Sequence, residues 1–243
     1  MPLALPDAEI DRILVVTAHP DDADFGAAGT IASWTDAGIE VAYCVATRGD
    51  AGGFDDTPRE EMPALREAEQ RAAAAVVGVK DVTFLDHPDG RVVASEELRR
   101  DITREIRRFR PQRLLCQSPE RNWQRIAASH PDHRATGDAA LCAVYPDARN
   151  PFAHPRLLAE EGLADWAVRE VWMMAAPASL NNHYVDITDT IERKLAALRA
   201  HVSQISHLPE MEGMVRGWLS ATAAAGGLPE GRLAEVFHVI STA

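Results

Sequence analysis

The sequence predicts an α/β chain: a mostly parallel sheet with helices against its faces. Three observations predict it. Short apolar runs alternate with longer amphipathic segments along most of the 243 residues. Glycine, proline and aspartate mark the junctions between them. Metal-capable side chains then fall just beyond apolar runs, where open α/β sheets bind ligands.

The elements follow in order. ILVVTA (13–18) lies between charged residues and Pro20 and reads as a buried strand. Residues 25–36 carry a helical pattern closed by Asp36-Ala37-Gly38, with Gly26 and Gly29 placed to let that helix press on the sheet. EVAYCVATR (40–48) is a second strand, and the glycine-rich TRGDAGGF (47–54) is a loop. Residues 58–77 form an alanine-rich helix stopped near Gly78, and VTFLD (82–86) is the third strand. Residues 95–109 form a helix with Ser95 as N-cap and acidic residues in its first turn. RLLCQSP (113–119) is the fourth strand, and a helix is expected from Asp132 to about Val144. REVWMMAA (169–176) is the fifth strand, 186–205 a strong amphipathic helix, and one or two short helices are expected after Pro209.

Strand and helix alternating in this way give βαβ units with right-handed crossovers, and so a Rossmann-like layered sheet. With no repeat and no linker, residues 1–243 read as one domain. The chain is 46% hydrophobic and 26% charged, enough for a sizeable core. Its formal net charge of −12 argues against nucleic acid or an anionic membrane as partner, since both reward positive surface. No apolar run reaches the roughly 18–20 residues that span a bilayer. MPLALPDAEIDR has neither the basic start nor the apolar stretch of a secretory signal. Cys44, Cys116 and Cys142 are few and widely spaced, so buried thiols in a reducing cytoplasm are expected.

Two segments carry the chemistry. The first strand ends in Ala18-His19-Pro20-Asp21-Asp22, where His19 and Asp22, three apart on a turn, can converge. Ser129-His130-Pro131-Asp132-His133 follows the fourth strand, and sheet topology can carry it to the same edge. Imidazoles and carboxylates without a thiolate suit Zn²⁺, and three protein ligands with an open fourth position make a catalytic centre. Plainer readings stand beside this one. Asp21, Asp22 and Asp132 are also good helix N-caps. Arg66 and Glu69 fit an ordinary i, i+3 surface pair, and Asp89 before Gly90 fits a turn. His87 and His183 read as satisfied or solvated histidines, and Trp123 as either a loop aromatic or a sugar-stacking wall. Residues 55–62 read as a solvated acidic stretch.

AHPDD after the first strand, with HPDH downstream, resembles the motif pair of the LmbE/PIG-L deacetylase family. TRGDAGG, LREAEQRAAAAVVGV, FLDHPDG and VDITDTIERKLAAL extend the resemblance, in order, over residues 13–205. It implies an LmbE-like fold with a metal site at the C-terminal edge of the strands. His19, Asp22 and His133 would hold one Zn²⁺ per chain. Asp21 would be the general base toward the metal-bound water that attacks an acetamide carbonyl. His130 would stabilise the oxyanion, with Asp132 orienting it and favouring its protonated form. Arg66 and Asp89 would contact substrate. The implied activity is removal of an N-acetyl group from a small amino-sugar substrate. An amidase acting on a larger thiol or sugar conjugate, and a non-catalytic sugar-binding homologue, are the alternatives, and homo-oligomers are common among such proteins. Two positions depart from the family pattern. Ala23 replaces a frequent Glu, with Asp24 one residue later, and Ala128 stands where some members have Tyr, leaving Tyr184 as a candidate substitute.

Overall fold

A computed structural model of the chain describes residues 4–54 and 56–242. Asp55, part of the acidic stretch above, and the first three residues lie outside the described residues. In chain order the strands are β1 (Arg12–Thr17), β2 (Glu40–Val45), β3 (Asp81–Phe84), β4 (Arg113–Gln117), β5 (Glu170–Met174), β6 (His183–Asp186) and β7 (Ala234–Ser241). The helices are α1 (Asp22–Asp36), α2 (Met62–Val76), α3 (Glu96–Phe109), α4 (Pro131–Cys142), α5 (Pro155–Glu161), α6 (Ile191–Arg199), α7 (Val202–Ile205) and α8 (Met211–Ala225).

The strands form one seven-stranded sheet in the order β3-β2-β1-β4-β5-β7-β6. The first five are parallel, and β7 runs antiparallel between β5 and β6. Alternate residues of each central strand enter different cores, because successive side chains point to opposite faces. Ile13, Val15, Val41 and Tyr43 pack with Ala27, Ile31, Ala73 and Ala74 of α1 and α2. Leu14, Val16, Ala42 and Cys44 pack with Leu98, Ile102 and Ile106 of α3 and Ala139 and Ala140 of α4. Both faces are covered, which is why these strands are continuously apolar in sequence. Each fully buried Ile or Leu contributes about 1.5–3 kcal/mol. Cys44 and Cys116 are buried among these residues as free thiols.

The third helix begins as its sequence requires: the Ser95 hydroxyl accepts from the Leu98 N–H at 3.2 Å. Gly26 and Gly29 do let α1 sit close. A Cβ on Gly26 would lie 2.2 Å from Sδ of Met174 at the end of β5, and one on Gly29 would meet Ile187.

The C-terminal third differs from expectation. The expected helix over 186–205 starts only at Ile191, because 183–186 is strand β6, and it breaks at Ala200-His201 into α6 and α7. The tail is one 15-residue helix, α8, followed by the eight-residue β7. AEVFHVIS does alternate in burial along most of its length, a strand pattern that the sequence reading missed. Lys194 fixes this strand in place. Its buried ammonium donates to Glu235 of β7 at 2.7 Å and to the Asp24 and Phe25 carbonyls of α1 at 2.8 Å. Glu235 in turn accepts from the Gly29 and Thr30 N–H groups. Such a pair is tolerated in a core only because its remaining hydrogen bonds are also made. Among the described residues, no helix is long and apolar enough to cross a membrane.

Candidate active site

Strand order reverses between β1 and β4: the chain steps one way through β1, β2 and β3 and the other through β4 and β5. At such a switch point the loops beyond two neighbouring strands diverge and leave a crevice. His19–Asp22 leave β1 there, and the loop after β4 brings His130–His133 to the same place. Gln117, the last residue of β4, fixes the first turn by accepting from the Ala18 N–H at 3.0 Å. Gly137 lets α4 lie tight against β4, since a Cβ there would stand 2.2 Å from the Gln117 carbonyl oxygen.

His19, Asp22 and His133 converge. Nδ1 of His19 lies 3.2 Å from Nε2 of His133 and 3.4 Å from Oδ2 of Asp22. Nε2 of His133 lies 3.0 Å from Oδ1 of Asp22. Asp22 also accepts from the His19 backbone N–H at 2.7 Å, which pins the carboxylate in the turn. A wider trio of His19, His130 and His133 places its ring nitrogens within 4.8 Å of one another. The tighter trio is the better metal cradle: tetrahedral zinc, with bonds of about 2.0–2.1 Å, separates its ligand atoms by about 3.3 Å.

The other ring nitrogen of His19 faces away from this point. Its Nε2 lies 3.1 Å from Asp89 and 3.2 Å from Asp132. Burial alone would push the His19 imidazole down, but Asp132, Asp22 and Asp89 outweigh it and push it up to about 12. Asp132 is fully buried and also accepts from the N–H groups of Gly90 at 2.7 Å and Val92 at 3.3 Å. The sequence reading turned Asp132 toward His130; the carboxylate is instead committed to His19 and to the loop after β3. The His130 ring lies against those of His19 and His133, and its Nδ1 accepts from the Asp132 backbone N–H at 3.2 Å. Burial and the neighbouring His19 and His133 hold the His130 imidazole below its usual range, and Nδ1 acts as an acceptor where the expected imidazolium would carry a proton. A neutral ring accepting at Nδ1 carries its proton on Nε2.

Asp21 precedes α1 with φ of 88°, a left-handed conformation uncommon for a residue with a side chain. Its N–H donates to Oε1 of Gln70 at 2.8 Å, and its carboxylate accepts from Arg66 at 3.1 Å. Neither Asp21 nor Asp22 is the simple N-cap of the plainer reading: Asp21 makes no side-chain cap, and Asp22 bonds back to His19. Burial pushes the Asp21 carboxyl up to about 6, against the pull of the Arg66 guanidinium.

Arg66, expected at the substrate, is 3% exposed, and its guanidinium is taken up by the turn around it. It donates to the carbonyls of Pro20 at 2.7 Å and Gly49 at 3.2 Å as well as to Asp21. Gly49 is required beside it: φ is 69°, and a Cβ would lie 2.3 Å from the guanidinium. Glu69 is not its surface partner, because it accepts from Ser203 of α7 through N–H and hydroxyl. Asp89 is likewise held from behind, by the Ala51 N–H at 3.0 Å, while its own N–H donates to Asp50.

Gln70, Gln117, Asp24 and His201 were missed as parts of the site. Gln70 donates to Asp24 at 2.9 Å, and fully buried His201 meets the same Asp24 oxygen at 2.8 Å. Asp24 thus braces the turn from the position next to Ala23. A glutamine inside an amphipathic helix face, and one ending an apolar strand, were the available signals. Of the other candidates, His87 meets Asp101, and His183 packs on Trp172. Tyr184 lies against Gly226, Arg48 meets Asp86 and Glu67, and Trp123 is 80% exposed.

A family profile described as PIG-L, GlcNAc-PI de-N-acetylase, matches residues 14–144, from β1 through the second histidine segment.

The chain belongs to the PIG-L family.

Individual PIG-L-type relatives agree. Diacetylchitobiose deacetylase of Thermococcus kodakarensis is 33% identical over 200 residues, covering 82% of this chain and 72% of that protein. A probable N-acetyl-alpha-D-glucosaminyl L-malate deacetylase 2 of Bacillus anthracis is 29% identical over 203 residues, 80% of this chain and 82% of its own. The solved N,N'-diacetylchitobiose deacetylase of Pyrococcus horikoshii superposes with a TM-score of 0.87 at 30% identity, covering 98% of this chain and 86% of that one.

Proposed function

We propose that this PIG-L protein is a zinc-dependent hydrolase that removes the N-acetyl group from a small amino-sugar substrate. The observation that carries the reading is the convergence of His19, Asp22 and His133 at 3.0–3.4 Å, with Asp21 beside them. Relatives that deacetylate diacetylchitobiose or an acetylglucosaminyl malate support the substrate class.

The residues fit a divalent cation in three respects. Their spacing matches tetrahedral coordination. Their donors are two imidazoles and a carboxylate, which suit zinc. And Asp22, Asp89 and Asp132 crowd one buried imidazole, a charge arrangement that a cation answers. One ion per chain would be held by Nδ1 of His19, Asp22 and Nε2 of His133. Asp132 and Asp89 then accept from Nε2–H of His19, setting its tautomer and orientation. When bound, zinc supplies Lewis-acid polarisation of the amide carbonyl and acidifies water.

The chain's own groups supply the rest. Asp21, its carboxyl raised and braced by Arg66 and Gln70, takes a proton from the attacking water. The water oxygen bonds to the carbonyl carbon. Nε2–H of His130 donates to the carbonyl oxygen as negative charge develops there. Asp21, now protonated, returns the proton to the nitrogen as the C–N bond breaks, leaving acetate and a free amine. Asp89 and Arg66 act here by holding His19 and Asp21, a role in which neither needs to touch the sugar.

The reading treats the chain as one domain, since β1 and β7 belong to one sheet. Three free cysteines suit a reducing cytoplasm. The deciding experiment incubates the zinc-loaded protein with N-acetylglucosamine, diacetylchitobiose and an acetylglucosaminyl malate. Equal amounts of acetate and primary amine are expected from at least one. Binding without release from any of them would reduce the protein to a sugar-binding homologue.

A further inference from the structure

Asp22 and His133 do more than face each other. They also line a cavity of about 460 Å³, and Asp21 is not among the residues that line it. Phe25 of α1, Met174 of β5 and Val215 and Leu219 of α8 give it apolar walls. Six alanines, at 127, 128, 175, 176, 178 and 234, form much of the remainder and leave the space open by having no side chain beyond Cβ. Arg125 and Trp218 stand at the rim, the guanidinium 4.7 Å from the ring centroid, and join the loop after β4 to α8. Lys194 and Glu235 reach the lining but already satisfy each other.

The two sides of the metal cradle therefore differ in chemistry. Asp21, Asp50 and Asp89 stand outside the cavity lining, on the side where the loops after β2 and β3 meet. Asp21 returns the proton to the amide nitrogen, so the sugar carried by that nitrogen belongs on this side. An amide carbonyl seated at the cradle has its nitrogen substituent on one side and its acyl substituent on the other. With the sugar on the polar side, the acyl group enters the apolar cavity. A methyl group fills on the order of 30 Å³, about the share of one water in the liquid, so acetyl leaves most of the space unused.

We propose that this cavity is an acyl-chain pocket, and that the enzyme hydrolyses amino sugars N-acylated with chains longer than acetyl. This rests on the hydrolase reading above. The balance is that of any amide hydrolysis: water adds to the carbonyl carbon, the C–N bond breaks, the acid leaves with its chain, and the amine keeps the proton. Gln117, Asn122, Asn181 and Thr222 add polar groups to the lining, and against Phe25, Met174, Val215 and Leu219 each buried methylene favours the transition state.

The test measures amine release from glucosamine bearing N-acetyl, N-butanoyl or N-hexanoyl groups. The value of kcat/KM should rise about fourfold per methylene buried, and at least tenfold from acetyl to hexanoyl. Ala128→Phe and Ala178→Phe fill the cavity from different segments, and each should return the hexanoyl-to-acetyl ratio to about one or below. Zinc content and Tm report that each variant is folded. Acetyl turnover with hexanoyl at least tenfold poorer overturns the pocket, as does a ratio that both variants leave unchanged. A gain given instead by an octyl glycoside of N-acetylglucosamine, and lost in Ala128→Phe, overturns it in favour of an aglycone site. No release from any substrate removes the hydrolase reading and this inference together, and the acetyl substrate tells that outcome from failure of the pocket alone.

Discussion

Asp132 reaches past its neighbour His130 to Nε2 of His19, 113 residues earlier in the chain, at 3.2 Å. The same carboxylate holds the Gly90 and Val92 N–H groups, so one buried side chain joins the ends of β1, β3 and β4. A carboxylate behind a metal-facing imidazole fixes its tautomer and raises its basicity.

Asp132→Asn removes the negative charge and turns an NH₂ toward at least one of those donors. Zinc affinity should fall about 10–100-fold, with the fold retained by circular dichroism. Competition with a chromophoric chelator measures it. An unchanged affinity would show that the His19–Asp132 contact does not tune the metal.

Asp21→Asn should keep one zinc per chain and lose about 10²–10⁴-fold in kcat, the usual worth of a positioned base. Metal analysis and acetate release on the same sample decide it. Undiminished turnover would refute the base assignment. His19→Ala and His133→Ala should behave oppositely and lose the metal itself.

Arg66→Met tests bracing against direct substrate contact. It leaves Asp21 and the Pro20 and Gly49 carbonyls without their donor, and hydrogen bonds to a charged group are worth about 1.5–3 kcal/mol. A fall of about 10–100-fold in kcat/KM is expected, equal for a monosaccharide and a disaccharide substrate. A loss confined to one substrate would return Arg66 to the sugar-binding role.

His201 gives a pH dependence away from the metal cradle. Burial pushes its imidazole down, but the bond to Asp24 outweighs this and raises it above the ordinary 6.5. A raised folded value means that the folded chain holds the proton more tightly. The stabilisation is complete below the unfolded value and is lost as pH rises through the folded one. The Tm difference between the native protein and His201→Asn should be larger at pH 5.5 than at pH 9. A difference that grows toward pH 9 would contradict a charged His201–Asp24 pair.

Much of this architecture is legible along the chain. β1, β2, β4 and β5 are buried along nearly their whole length, so their apolar runs stand out, and α3 carries its own cap at Ser95. β6 and β7 were not legible in the same way. β6 is four half-buried residues, and β7 alternates because only one of its faces is deeply covered. The break between α6 and α7 follows from His201 turning in to Asp24, a contact that no local pattern announces.

Residue types and order by themselves determined that the His19–Asp22 and His130–His133 segments would meet, since the motifs sit next to strand ends that a parallel sheet must bring to one edge; the choice of His19, Asp22 and His133 among them was what the family resemblance implied. What each remaining polar group does was decided only in three dimensions. Asp132 turned to His19 and not His130, Arg66 turned to Asp21 and not to solvent, and Gln70 and His201 joined the site from α2 and the α6–α7 junction. The reason is physical. Strand ends are positioned by local periodicity and a fixed crossover hand, whereas the partner of a buried polar side chain is whichever donor or acceptor packing leaves within about 3 Å, however far away in sequence.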